Sequence, residues 1–112
     1  MTEKRAILEM GAGNDLHGGD YTKAALRAVQ DAMHHSSLSF VHTLGIDKSQ
    51  MLVNVTIGVQ RPDKVDADAV KASFPTGVVS VEVHKGGLDV PDEVVGDVAV
   101  IASAAIEVLL VT

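Results

Sequence analysis

No cysteine occurs in this 112-residue chain, which excludes disulfides and thiolate metal sites and removes any need for an oxidising compartment. Aromatic residues are scarce, 3% against 46% hydrophobic overall. A core must therefore come from Val, Ile, Leu, Ala and Met, side chains that let a helix lie close on a sheet. Basic charge is in deficit. The net charge of −6 divides into −1 over residues 1–56 (five Lys/Arg, six Asp/Glu) and −5 over residues 57–112 (four against nine). With no basic patch, nucleic acid is not an expected partner. Long apolar runs are lacking as well. "MTEKRAILEM" has no signal-peptide h-region, and "DVAVIASAAIEVLLVT" is too short for a membrane span and carries Glu107. No membrane partner and a cytoplasmic location are expected, with residues 1–112 forming a single domain.

What the chain does have is clear periodicity. "RAILEM" at 5–10 reads as a strand running into a glycine-rich loop. From Tyr21 the period changes: Ala25, Ala28, Val29, Ala32 and Met33 share one helical face, with Asp20 as N-cap. "MLVNVTIGV" at 51–59 reads as a central strand. In "VDADAVKASFP", Asp66 caps a second helix, Val65 and Val70 occupy the staple positions, and Pro75 stops it. "VVSVEVH" at 78–84 alternates Val79, Val81 and Val83 with Ser80, Glu82 and His84. "KGGLDVPDEVVG" reads as a turn-rich lead into a last strand over 97–111. The predicted fold is α+β, a two-layer α/β sandwich of order β-α-β-α-β-β.

Chemistry concentrates between Gly11 and Gly19. Asp15 and His17 stand two residues apart, which in an extended segment points both to one side. A carboxylate and an imidazole offer two ligands to a divalent metal such as zinc or manganese. A third would come from His34, His35, His42, His84 or a neighbouring subunit. The rival chemistry is acid–base: an aspartate can orient an imidazole, a group that exchanges protons near neutral pH. Asn14 and the amides of Gly11, Gly13, Gly18 and Gly19 would then stabilise negative charge. Lys23 sits in the first turn of the helix, where the dipole disfavours a cation, and Arg27 lies one turn on. A bound anion would relieve both conflicts. His84 and Lys85 begin "HKGGL", from which both can reach a shared pocket. His34 and His35 suit a helix C-terminus, and the Asp63, Asp66, Asp68 cluster reads as a solvated cap region.

The run Gly11-Ala12-Gly13-Asn14-Asp15-Leu16-His17-Gly18 resembles the G-x-G-x-D-x-H-G signature of a family of conserved hypothetical proteins, and the likeness extends through "TKAALRAVQDA" and "VEVHKGGL". The "LVNVT" strand and the order of elements are similar to the C-terminal domain of FtsZ and tubulin. That likeness concerns fold and carries no GTPase function.

These readings lead to a small anionic ligand at the glycine-rich loop, handled by an acid–base or metal-assisted enzyme using Asp15 and His17. The alternative is a non-catalytic homo-oligomeric module, structural or ligand-sensing. Self-association has its own support. Residues 98 to 110 at period two are Val, Val, Ala, Ala, Ile, Val and Leu, and the opposite face is also mainly apolar. A strand of ~14 residues spans roughly 46 Å, whereas a sphere of this chain length is about 34 Å across. The strand should overhang its sheet, unless a bulge near Ser103–Ala105 folds it back.

Overall fold

The computed structural model describes residues 3–35, 45, 47, 50–74 and 77–111. The elements are β1 (Glu3–Asp15), α1 (Tyr21–His34), β2 (Met51–Val59), a 3-10 turn (Pro62–Lys64), α2 (Ala67–Ala72), β3 (Val78–Lys85), β4 (Leu88–Asp92) and β5 (Asp97–Val111). The five strands form one sheet of order β1-β5-β2-β3, with β4 also paired to β5. β1 lies antiparallel along most of β5, from Glu3 opposite Val111 to Asp15 opposite Val100. The other side of β5 is shared. β2 pairs with residues 103–110, and β4 takes over at residues 97–101. β3 runs parallel to β2.

Both helices cover one face of this sheet. Met51, Val53, Val55, Ile57 and Val59 of β2 are buried there, with Val100, Ala102, Ala104, Ile106 and Val108 of β5 and Val79 of β3. From α1 the core receives Tyr21, Ala24, Ala25, Ala28, Val29 and Ala32, and from α2 it receives Val70. Asp66 caps α2 by accepting the Ala69 N–H at 3.1 Å, and its own amide donates to Thr22 Oγ1 at 2.9 Å, which ties α2 to α1. Pro75 and His42 lie outside the described residues.

Two expectations need correction. The first strand does not stop at Met10 but continues through Gly11–Asp15, so Gly11 and Gly13 belong to the sheet and not to a loop. Their reason is steric. A Cβ at Gly11 would stand 2.7 Å from the Ala28 carbonyl oxygen, and one at Gly13 would stand 2.5 Å from that of Ala24, each also striking the amide nitrogen of a helix alanine. Glycine weakens a strand intrinsically; here it lets α1 rest backbone on backbone, along the one-per-turn stripe Ala24, Ala28 and Ala32. The second correction is β4, which occupies the segment read as turns and makes the order β-α-β-α-β-β-β. Pro91 conceals it. A proline cannot donate to a ladder, yet it is tolerated on a strand with one open edge.

β5 shows no break at Ser103–Ala105; the one register shift against β1 lies between Arg5 and Ile7. The molecule is accordingly long, 54 × 22 × 19 Å with a radius of gyration of 15.4 Å, against about 13–14 Å for a globule of this length. The exposed edge of β1 is partly closed by α1. Ala12 N–H donates to Asp31 Oδ2 at 3.0 Å, and Arg27 Nη1 donates to the Asn14 carbonyl at 2.7 Å.

The close contact generates a prediction. Gly13→Ala should destabilise the fold by roughly 1–3 kcal/mol through overpacking, while Ala12→Ser, on the face without helices, should change stability by less than about 0.5 kcal/mol. Urea unfolding midpoints of the two variants check it.

Candidate functional site

β1 ends at Asp15, and the chain is turned into α1 by Gly18 and Gly19, whose φ values of 96° and 60° favour glycine. Asp15 is buried, its side chain 6% exposed. Such a charge must be satisfied locally. Its Oδ2 accepts the Asp20 N–H at 2.9 Å, and its Oδ1 lies 3.7 Å from Lys23 Nζ and 3.9 Å from Arg27 Nη1. Asp20 in turn accepts the Lys23 N–H at 3.0 Å, as an N-cap should. The anion expected beside Lys23 and Arg27 is thus supplied by the chain itself.

His17 has a different partner. The extended backbone stops at Asp15, so the two-residue spacing no longer holds both side chains on one side. Asp15 turns toward α1, while His17 Nδ1 lies 3.4 Å from Asp97 Oδ2 at the start of β5. Among the described residues no ion pair joins Asp15 to His17, and the expectation that they share one cavity is not met. Nor do the described residues group three or more His, Asp or Glu side chains in a way that could hold a metal. His34 and His35 end α1 as expected, with His35 Nε2 3.6 Å from Asp31.

Asp97 is the organising residue at this end, and sequence reasoning missed it. Its Oδ1 accepts the Gly18 N–H at 2.9 Å and the Val98 N–H at 2.8 Å. These two amides, Gly18 first, hold its carboxyl below the usual carboxylate range, with His17 adding to the effect. Asp92 closes the β4–β5 turn by accepting the Val94 N–H at 3.1 Å. Together Leu16, His17, Val90, Pro91, Asp92, Glu93, Asp97 and Ala99 line an open hollow of about 520 Å³. It is acidic and apolar, which runs against the expectation of an anionic ligand at this loop. On the helix-covered face, Tyr21 donates its hydroxyl to Asp89 Oδ2 at 2.6 Å. That bond and burial raise the phenol's pKa.

His84 and Lys85 do reach one pocket, but not that of the loop. With Met10, Thr56, Ile57, Gly58, Gly86, Ser103, Ala104 and Ala105 they line a second hollow of about 260 Å³. Gly58 and Gly86 form a floor without side chains, and His84 Nε2 sits 3.2 Å from Glu82. The carbonyl of Asn14 is taken by Arg27.

A family model described as conserved hypothetical protein, Lin0512_fam, matches residues 5–108. The chain belongs to this family. Comparison with curated proteins returned no match. Among solved structures, the chain is similar to an FtsZ-like protein of unknown function from Nostoc punctiforme PCC 73102. Identity is 34%, coverage is 100% of this chain and 99% of the other, and the TM-score is 0.85. Both resemblances drawn from the sequence, to a family of conserved hypothetical proteins and to an FtsZ-type fold, therefore hold for this Lin0512 family member. No helix among its described residues is long and apolar enough to cross a membrane.

For this family member the Asp97 geometry has a pH consequence. A carboxyl whose folded pKa lies below its unfolded value of roughly 3.9 contributes fully above that value, and the contribution is lost as pH falls through the folded pKa. Thermal unfolding followed from pH 6 down to 3 should show a falling melting temperature. Asp97→Asn should be less stable at pH 6 and show a shallower acid decline.

Proposed function

We propose that this protein is a non-catalytic, self-associating module that docks through the face of its sheet left uncovered by the helices. One observation supports the reading. Leu8 and Met10 of β1, Leu88 and Val90 of β4 and Ile101 of β5 alternate out of the core onto that face, and all are exposed, Met10 by 67%. Register groups Leu88 with Ile101 and Val90 with Ala99, while Met10 lies opposite Ala105, four residues along β5 from Ile101, and Leu8 opposite Glu107. Exposed apolar side chains gathered on one face support a contact surface there, and covering apolar area returns about 25 cal/mol per Å². By contrast, Asp15 and Asp97, the carboxylates nearest the loop, are engaged by backbone amides and serve as anchors for the turn. Light scattering at micromolar concentration should give a mass at or above twice 11.7 kDa. Met10→Glu combined with Ile101→Glu should return the monomer; a monomeric parent protein refutes the proposal.

A second reading, a small anionic ligand, draws support from the hollow where His84 and Lys85 meet a glycine floor. Titration with inorganic phosphate should then shift the amide resonances of Lys85 and Gly86. Lys85→Ala should abolish the response.

A further inference from the structure

The uncovered face carries a second pattern, set by β2. Alternation puts Asn54, Thr56 and Gly58 on that face, so the side chains of β2 shrink toward the end of the strand. Register gives each of them a neighbour on both sides. Asn54 lies between Ser80 of β3 and Glu107 of β5, Thr56 between Glu82 and Ala105, and Gly58 between His84 and Ser103. Two strand spacings wide and four residues long, this grid measures about 10 by about 13 Å. That is the footprint of a small molecule, far below the ~800 Å² per partner of a protein interface.

The two ends of the grid differ in hydrogen-bonding character. Asn54, Thr56, Ser80, Glu82 and Glu107 line a hollow of about 420 Å³ that is rich in acceptors. The Arg5 guanidinium and the Asn54 amide hold the Glu107 carboxyl below the usual carboxylate range. Of Glu82 only Oε2 is engaged among the described residues, by His84 at 3.2 Å. The hydroxyls of Thr56 and Ser80 have no hydrogen-bond partner among the described residues. Thr56 also lines the adjoining hollow of about 260 Å³, where His84 and Lys85 stand by the glycine floor. This end supplies donors. Lys85 has no ion pair among the described residues. A Cβ at Gly58 would stand 2.7 Å from Ser103 Oγ, so that hydroxyl leans over the bare glycine toward β3.

We infer that the ligand of this grid is a phosphorylated polyol of the size of a monosaccharide phosphate. This rests on the second reading above, an anion at the glycine floor, and names the rest of the molecule. The phosphate lies over Gly58, where no side chain rises from the sheet, with the Ser103 hydroxyl as donor and Lys85 as countercharge. The polyol extends over Thr56 toward Asn54. There its hydroxyls donate to the carboxylates of Glu82 and Glu107 and exchange hydrogen bonds with Thr56 and Ser80. Hydrogen bonds to ionised acceptors are stronger than those between neutral groups, which is what lets a surface without aromatic rings hold a sugar. Glu82 stands one row from the phosphate, and its repulsion is weak at an open surface of high effective dielectric.

Titration of the full chain with methyl phosphate and with glucose 6-phosphate, followed through the amide resonances of Lys85 and Gly86, tests this. Both probes carry a phosphate monoester, and only the second carries the hydroxyls. Glucose 6-phosphate should bind at least about tenfold more tightly, the worth of one net hydrogen bond to a charged group. In a protein carrying both Thr56→Val and Ser80→Ala, the ratio of the two affinities should fall at least about threefold. Neither hydroxyl has a partner among the described residues, so the sheet loses no bond that holds it. Ser103→Ala should instead weaken both probes together and keep their ratio within about twofold. Equal affinities for the two probes, or a ratio unaltered by the double variant, overturns the polyol assignment and leaves the anion reading standing. Ser103→Ala protein that binds both probes as the parent does overturns the placement of the phosphate over Gly58. Silence toward both probes and toward inorganic phosphate overturns the inference and the anion reading together.

Discussion

Gly11 and Gly13 let the backbone of α1 rest on the backbone of β1, and the positions of the other elements follow from that contact. The alanine stripe Ala24, Ala28 and Ala32 has no side chain long enough to hold the helix away, and a Cβ on either glycine would collide with it. Because the helix sits this low, Asp31 and Arg27 reach over the strand to Ala12 and Asn14, and Lys23 and Arg27 reach back to Asp15. Packing distance, edge protection and the electrostatics of the turn are thus consequences of one steric fact.

The turn itself is an internally neutralised unit. Asp15, Asp20 and Asp97 each accept a backbone amide of the 18–23 segment, from Asp20, Lys23 and Gly18 respectively. Lys23, unfavourably placed in the first turn of a helix in isolation, and Arg27 one turn on stand beside a buried carboxylate that balances them. Asp97 also joins the start of β5 to the turn after β1, so the β4–β5 hairpin is held against the entry to α1.

How much of this could be read in advance depended on whether the signal was local. The 51–59 strand was legible from its β-branched run, and the 97–111 strand from apolar residues recurring at period two. α1 was legible from its period and its Asp20 cap. The glycines were misread because a Gly-x-Gly before a helix has the same letters whether it wraps a ligand or admits a helix backbone. Only the placement of Ala24 and Ala28 above them distinguishes the two. β4 was hidden by Pro91, and Asp97 by distance: it lies 79 residues from the Gly18 amide it receives. Pairing Asp15 with His17 assumed extended backbone through both, and the strand ends at Asp15 with the chain bending from Leu16 on.

The closure of the β1 edge bears on how such a sheet can grow. A strand added beside Ala12–Asn14 would have to displace a carboxylate and a guanidinium that already hold those backbone groups. Lateral extension, the route by which sheets propagate into fibres, is therefore obstructed along this part of the molecule. A face, unlike an edge, is consumed once it is covered. A contact made through the open face of the sheet would end with the molecules that make it, unlike strand addition at an edge.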